Sequence, residues 1–236
     1  MAVIALMMTI SVSAQFYIYR SDGNVIKVDS ISMVSLAQGN TNQENGYEYV
    51  DLGLSVKWAT CNVGASTPEE YGDYFAWGER QPKSTYSWST YKWCYGNYKS
   101  QNKYCTKSEY GTVDNKTVLE AADDAATAKW GGSWCMPTDA ELTELRTECT
   151  WTRTTKNGVN GYKVTSKSNG NSIFLPAAGF RYGSSLLNAG SYGYYWSASL
   201  DGSSPDDAYG LYFNSSDVRR YFDNRLYGYS VRPVCQ

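Results

Sequence analysis

Beyond Cys149 the chain offers only short runs suited to strands. Residues 162–165 follow an Asn157-Gly158 turn; 173–175, 194–197, 208–213 and 229–234 come next, separated by Gly, Asn, Asp and Ser. Two helical patterns precede them. Residues 117–130 are Ala-rich, carry Val118, Leu119, Ala122, Ala125 and Ala126, and stop at Gly131-Gly132. The second opens on a capping box, Thr138-Asp139-Ala140-Glu141, behind Pro137, sets Leu142 and Leu145 on one face, and ends near Cys149. Two helices followed by an antiparallel β meander predict an α+β domain.

The N-terminal part divides by composition. Residues 2–10 are apolar and lead to Ser11-Val12-Ser13-Ala14, which predicts an export signal at 1–14 cut after Ala14, although no Lys or Arg precedes the apolar run. Residues 15–36 read as a small β element: 16–19 and 25–28 flank Ser21-Asp22-Gly23-Asn24, a hairpin pattern, and 31–34 adds a third strand. Residues 37–46 are polar and read as a linker, so the main domain is 47–236. Residues 49–52 and 56–60 read as its first strands. Trp58, Trp77, Trp134, Leu142, Leu145, Phe174, Leu175, Trp196, Leu211, Phe213 and Val231 are expected to form one core.

The C-terminal segment has a restricted vocabulary. Residues 197–235 contain no Lys, Glu, Gln, Met or Trp. Those are the types that no codon ending in C can encode. A run of AAC codons with adenines replaced at random yields this set. The segment reads as a fixed frame with varied inserts. Tyr195-Trp196-Ser197, Ala208, Leu211, Phe213 and Ser230-Val231-Arg232-Pro233-Val234 are frame. Asp201, Asp206, Asp207, Tyr212, Arg219, Tyr221, Phe222, Asp223, Leu226, Tyr227 and Tyr229 are inserts. With Asn224 they form the expected binding face. Strand alternation predicts Tyr209, Leu211 and Phe213 inward, Gly210 and Tyr212 outward.

Composition narrows the chemistry. The 236 residues contain no His, which excludes Ser-His and Cys-His nucleophile pairs and His-ligated metals. Net charge is -2 with no basic block, so nucleic acid is not an expected partner. The 22 Tyr suit a recognition surface, because each gives a large contact area with few rotatable bonds. Glu69-Glu70, Asp123-Asp124 and Asp206-Asp207 are the acid clusters available for carboxylate catalysis, and each reads better as a helix start, helix face or loop. No metal site and no cofactor are expected. Of six Cys, none forms a CxxC pair. Cys94 and Cys105 flank a Gly/Asn/Ser-rich loop and are the disulfide candidate. Cys135 and Cys149 lie at opposite ends of the second helix, too far apart to pair.

The run 49–64, Tyr-Val-Asp-Leu-Gly-Leu-Ser-Val-Lys-Trp-Ala-Thr-Cys-Asn-Val-Gly, with Gly72-Asp73-Tyr74-Phe75-Ala76-Trp77-Gly78-Glu79, resembles the Fibrobacter succinogenes major paralogous domain family of Bacteroidetes. So do Trp130-Gly131-Gly132-Ser133-Trp134, Met136-Pro137-Thr138, Leu175-Pro176-Ala177-Ala178-Gly179, Tyr195-Trp196-Ser197 and Ser230-Val231-Arg232-Pro233-Val234. Cys135 departs from that family's usual Arg. The resemblance implies a C-type-lectin-like fold and a kinship with variable proteins of diversity-generating retroelements, diversified in their C-terminal part. The Glu-Pro-Asn, Gln-Pro-Asp and Trp-Asn-Asp tripeptides of calcium-dependent lectins are absent. The C-terminal Cys pair of formylglycine-generating enzymes is reduced here to Cys235. The expectation is an exported, non-enzymatic binding or adhesion protein, without a transmembrane segment, whose partner is a protein or glycan on a cell surface. The alternatives are a calcium-independent carbohydrate-binding module and, more weakly, a carboxylate-based glycan-degrading enzyme.

Overall fold

The computed structural model describes residues 16–19, 25–28 and 41–236. The chain divides into two units, Met1–Gly39 and Asn40–Gln236. In the first, β1 (Phe16–Tyr19) pairs antiparallel with β2 (Val25–Val28), Phe16 opposite Val28 and Tyr19 opposite Val25. That is the pairing predicted by the turn residues between them. The leader at 1–14 and the strand at 31–34 lie outside the described residues.

The second unit starts earlier than composition suggests. Thr41–Glu44, read above as part of a linker, form β3 against β4 (Tyr47–Val50). Asn45 and Gly46 both have positive φ, 48° and 83°, the geometry of a tight hairpin turn. That turn overrides the low apolar content of β3. β5 (Lys57–Ala59) pairs with β4. A long irregular stretch then leads to α1 (Ala125–Trp130) and α2 (Asp139–Glu148). The meander β6 (Cys149–Lys156), β7 (Val159–Ser166), β8 (Ser172–Pro176) follows, then the hairpin β9 (Phe180–Tyr182), β10 (Ser185–Leu187). β11 (Gly193–Leu200), β12 (Asp207–Phe213) and β13 (Val218–Asn224) form one antiparallel sheet in that order. β14 (Val234–Cys235) returns to β5 and closes the sheet β14-β5-β4-β3.

The expected C-type-lectin-like α+β domain is therefore corrected. The described residues are mostly β, 37% strand against 13% helix, and the second unit is arranged as four small antiparallel sheets and two α-helices. One reason lies in the Ala-rich segment. Val118 forms a β-bridge to Ser199, and Ala121–Asp123 is a single 3-10 turn. The Asp124 carboxylate then accepts the Thr127 N–H at 2.9 Å and the Met136 N–H at 2.8 Å. Asp124 is thereby the N-cap, and the helix begins only at Ala125. α2, by contrast, forms behind its predicted capping box: Thr138 Oγ1 accepts the Glu141 N–H, and Glu141 accepts the Thr138 N–H.

All eleven expected core residues are buried, yet they do not form one core. Trp77, Trp134, Trp196 and Val231 belong to one cluster; Trp58, Leu142, Leu145, Leu175, Leu211 and Phe213 belong to another. The β11–β12 pair lies between them. Tyr194 and Trp196 contribute to the first cluster, while Tyr195 on the intervening position contributes to the second. Both faces of the β11–β12 pair are covered.

The disulfide expectation is also corrected. Cys94 and Cys105 are free thiols aimed at different carbonyls, Cys94 Sγ at Trp88 O (3.2 Å) and Cys105 Sγ at Lys107 O (3.1 Å). The loop closes through backbone instead: Cys94 bridges Gln101, so the chain has already turned back before Cys105.

Trp196 is fully buried, donates its indole N–H to Phe75 O at 2.9 Å and stacks on Tyr229 at 4.1 Å. Replacing it with Ala is expected to cost ~3–5 kcal/mol, read from denaturant unfolding. A variant as stable as the parent would place Trp196 outside the core.

Candidate functional site: the aromatic face of the C-terminal sheet

The register of β12 and β13 sorts their side chains. Tyr212 lies opposite Arg219, Gly210 opposite Tyr221 and Ala208 opposite Asp223 on one face. Tyr209 lies opposite Phe222 and Leu211 opposite Arg220 on the other. Tyr212 does point away from Leu211 and Phe213, as alternation requires. It is nevertheless buried, because a second aromatic layer covers that face. Its ring lies 5.1 Å from Tyr194, 5.5 Å from Tyr221 and 5.8 Å from Tyr192. Tyr194 in turn sits 5.0 Å from both Tyr229 and Phe180. Phe180 meets Tyr227 at 5.5 Å, and Tyr227 meets Tyr182 at 5.3 Å. The result is a continuous aromatic bed spanning β9, β11, β12, β13 and the turn after β13.

The bed carries polar groups at its margin. The Arg219 guanidinium lies 4.8 Å over the Tyr212 ring and 5.6 Å over the Tyr221 ring, and Arg219 is exposed. Asp223 accepts the Tyr229 hydroxyl at 2.5 Å. Burial pushes the Asp223 carboxyl up, against the Tyr229 hydrogen bond. Asp207 accepts the Asn224 amide at 2.5 Å. Burial, joined by the charges of Asp206, Asp223 and Asp201, pushes its carboxyl up to about 6.

Not every expected site residue belongs to this face. Asp201 is buried and accepts the Ser203 N–H (2.9 Å) and hydroxyl (2.6 Å), so it closes a turn. Burial opposes its charge, but the Ser203 hydrogen bonds hold its carboxyl low. Leu226 (3% exposed) packs among Tyr74, Tyr86 and Tyr91, and Tyr229 (1%) stacks in the core. Phe222 is exposed, on the opposite face of β13 beside Tyr209. Asp206, Asp207, Arg219, Tyr221, Asp223, Asn224 and Tyr227 remain exposed or half-buried. Sequence reasoning missed Phe180, Tyr182 and Tyr192. β9 is only three residues long, too short for alternation to register, and Tyr192 lies in a turn.

The other acid clusters are occupied structurally. Glu70 accepts the Ser66 and Thr67 N–H groups, and Glu69 accepts the Asn157 amide. Asp123 is paired with Lys103 and Lys92 and accepts the Tyr104 hydroxyl at 2.7 Å. Among the described residues no group of three or more Cys, Asp or Glu side chains is placed to hold a metal ion. No described helix is long and apolar enough to cross a membrane.

The raised Asp207 carboxyl has a pH consequence. Between its unfolded value near 3.8 and its folded value of about 6, the folded state keeps a proton that the unfolded chain has lost. Its contribution to stability is therefore present at low pH and lost as pH rises through that window. Asp207→Asn should gain stability relative to the parent between about pH 4 and about pH 7. Thermal unfolding of both proteins across that range checks it; a difference independent of pH would refute the shift.

Residues 38–234 match the family described as "Domain of unknown function (DUF8237)". No curated protein and no solved structure matches the chain. The match takes in nearly the whole second unit, its core sheets and its aromatic face, and the chain belongs to the DUF8237 family.

Proposed function

We infer that the chain is an exported, non-enzymatic binding protein whose C-terminal sheet presents a recognition face to a protein or glycan on a cell surface. One observation carries the reading. Every frame residue of the C-terminal segment is buried, from Tyr195, Trp196 and Ser197 through Ala208, Leu211 and Phe213 to Ser230–Val234. Seven of the eleven insert positions are not: Asp206, Asp207, Arg219, Tyr221, Phe222, Asp223 and Tyr227. A restricted side-chain vocabulary on accessible positions, over a buried interior, suits a surface that varies its ligand while holding its fold. Tyr and Arg are the types that carry most binding energy in protein interfaces. The same division supports diversification of the segment at the DNA level. It is checked by sequencing the locus for a near-copy of the segment that differs only at adenines, beside a reverse-transcriptase gene. A locus without such a copy removes the diversification part of the reading.

A glycan ligand has one feature in its favour. Tyr95 and Tyr98, 78% and 41% exposed, crown the 94–101 turn, and Tyr98 lies 6.4 Å from Tyr110. Exposed tyrosine rings of this kind stack on sugar faces.

Tyr221 and Tyr227 pack against the core, so replacing them confounds binding with folding. Tyr182 (51% exposed) and Arg219 are the cleaner probes. Tyr182→Ser combined with Arg219→Ala is expected to shift stability by no more than about 1 kcal/mol. It should weaken attachment to the cell surfaces that bind the parent at least about tenfold. Thermal unfolding and cell-binding titrations read the two effects; unchanged attachment would place the active face elsewhere.

A further inference from the structure

β13 is the outer strand of its sheet, and its backbone polarity can be worked out. Tyr209 O accepts the Ser197 hydroxyl, and Asp207 O accepts the Asp201 N–H, so the odd positions of β12 face β11. Asp206 O accepts the Arg225 N–H, so the even positions face β13. By register, Arg219, Tyr221 and Asp223 then bond to β12. The N–H and C=O groups of Val218, Arg220 and Phe222 point outward. Among the described residues no hydrogen bond reaches them; at Asn224, by contrast, the N–H donates to Asp223 Oδ1 and the C=O accepts the Tyr227 N–H, so the free edge is Val218–Phe222. Arg219, Arg220 and Phe222 are exposed, and no Pro or Lys blunts this edge.

The strand is also complementary to itself. Val218-Arg219-Arg220-Tyr221-Phe222-Asp223-Asn224 carries its cations on one side of Tyr221 and its carboxylate on the other. In an antiparallel pairing with a second copy, centred on Tyr221, Arg220 stands opposite Phe222 of the second copy. Both have outward backbone groups, so each such pair exchanges both of its hydrogen bonds. Arg219 then stands opposite Asp223 of the second copy on the same face, an opposite-charge cross-strand pair. The two Tyr221 side chains meet at the two-fold axis in the non-hydrogen-bonded position, where side chains approach most closely.

We propose that the outer edge of β13 is a homodimer interface, in which two copies join their three-stranded sheets into one six-stranded antiparallel sheet about a two-fold axis at Tyr221. The proposal goes beyond the recognition of a foreign ligand: it uses the backbone edge of β13 and is read in the purified protein alone.

Light scattering and sedimentation of the full chain across a concentration series test it. The parent should form a reversible dimer. Phe222→Pro removes an outward N–H and no bond to β12, so it should leave the protein monomeric at every concentration with near-parental thermal unfolding. Arg219→Asp sets like charges across the axis at an exposed position. It should raise the dimer dissociation constant at least about tenfold, while Arg219→Lys keeps the dimer. A parent that stays monomeric throughout overturns the proposal, as does a dimer indifferent to Arg219→Asp. Should Phe222→Pro fail to fold, the Arg219 pair decides alone. Phe222 lies on the face opposite the aromatic bed, so a monomeric Phe222→Pro protein that still attaches to cells leaves the recognition reading standing and separates the two.

Discussion

The Arg232 guanidinium is the fastening on which the rest of the second unit depends. It is almost wholly buried (1% exposed), and among the described residues its partners are an amide oxygen and backbone carbonyls, not a carboxylate. Its Nε donates to Asn62 Oδ1 at 2.9 Å, Nη1 to Ala59 O and Thr60 O at 3.0 and 2.8 Å, and Nη2 to Phe174 O at 3.0 Å. A buried charge is tolerated only when such dipoles replace its water, and removing its partners would strand it. One side chain thus ties the C-terminal segment to the end of β5 and to β8. The three elements come from far-separated parts of the chain, so the bond set forms only when all have docked.

Arg225 repeats the device at the other end of the same segment. It bonds Tyr91 Oη, Tyr104 O, Pro205 O and Lys103 O, with its guanidinium 4.9 Å from the Trp77 ring. Between the two arginines the chain runs through the interior rather than over it. Phe75 bridges Tyr229, Tyr195 bridges Ser230, and Val63 N–H bonds Val231 O. Leu226, Tyr229 and Val231 are core for this reason. A segment held this firmly lets the neighbouring strand, β13, carry exposed Arg and Phe without loosening the sheet beneath.

The aromatic bed follows from the same anchoring. With Tyr229 fixed against Trp196, Tyr194, Phe180 and Tyr227 stack outward from it in edge-to-face and offset contacts, the arrangements aromatic quadrupoles prefer. The rings nearest the solvent, Tyr182, Tyr221 and Tyr227, are therefore pre-positioned. A partner meeting them loses little conformational entropy to ordering them, which favours binding without rearrangement.

Local signals in the sequence were enough to place α2, whose cap and box lie within four consecutive residues, and the core of β7 behind the Asn157-Gly158 turn, which takes positive φ at both residues, but not its partner β6. They also identified the large side chains that leave water, since hydrophobicity belongs to the residue. They could not show how that interior is partitioned. Tyr212 alternates as its strand demands, yet is buried by tyrosines brought from β11, β13 and the turn before β11. Thr41–Glu44 is polar but pairs, Cys94 and Cys105 are near in sequence but turned apart, and the Ala-rich segment yields a helix only six residues long once Asp124 caps it. Composition and turn chemistry act over a few residues and are written in the sequence. Two-sided burial of a sheet, and the choice of which insert side chains reach solvent, depend on contacts between separate elements, some of them, such as Leu226 with Tyr91 or Trp196 with Phe75, more than a hundred positions apart, and only the tertiary structure decides them.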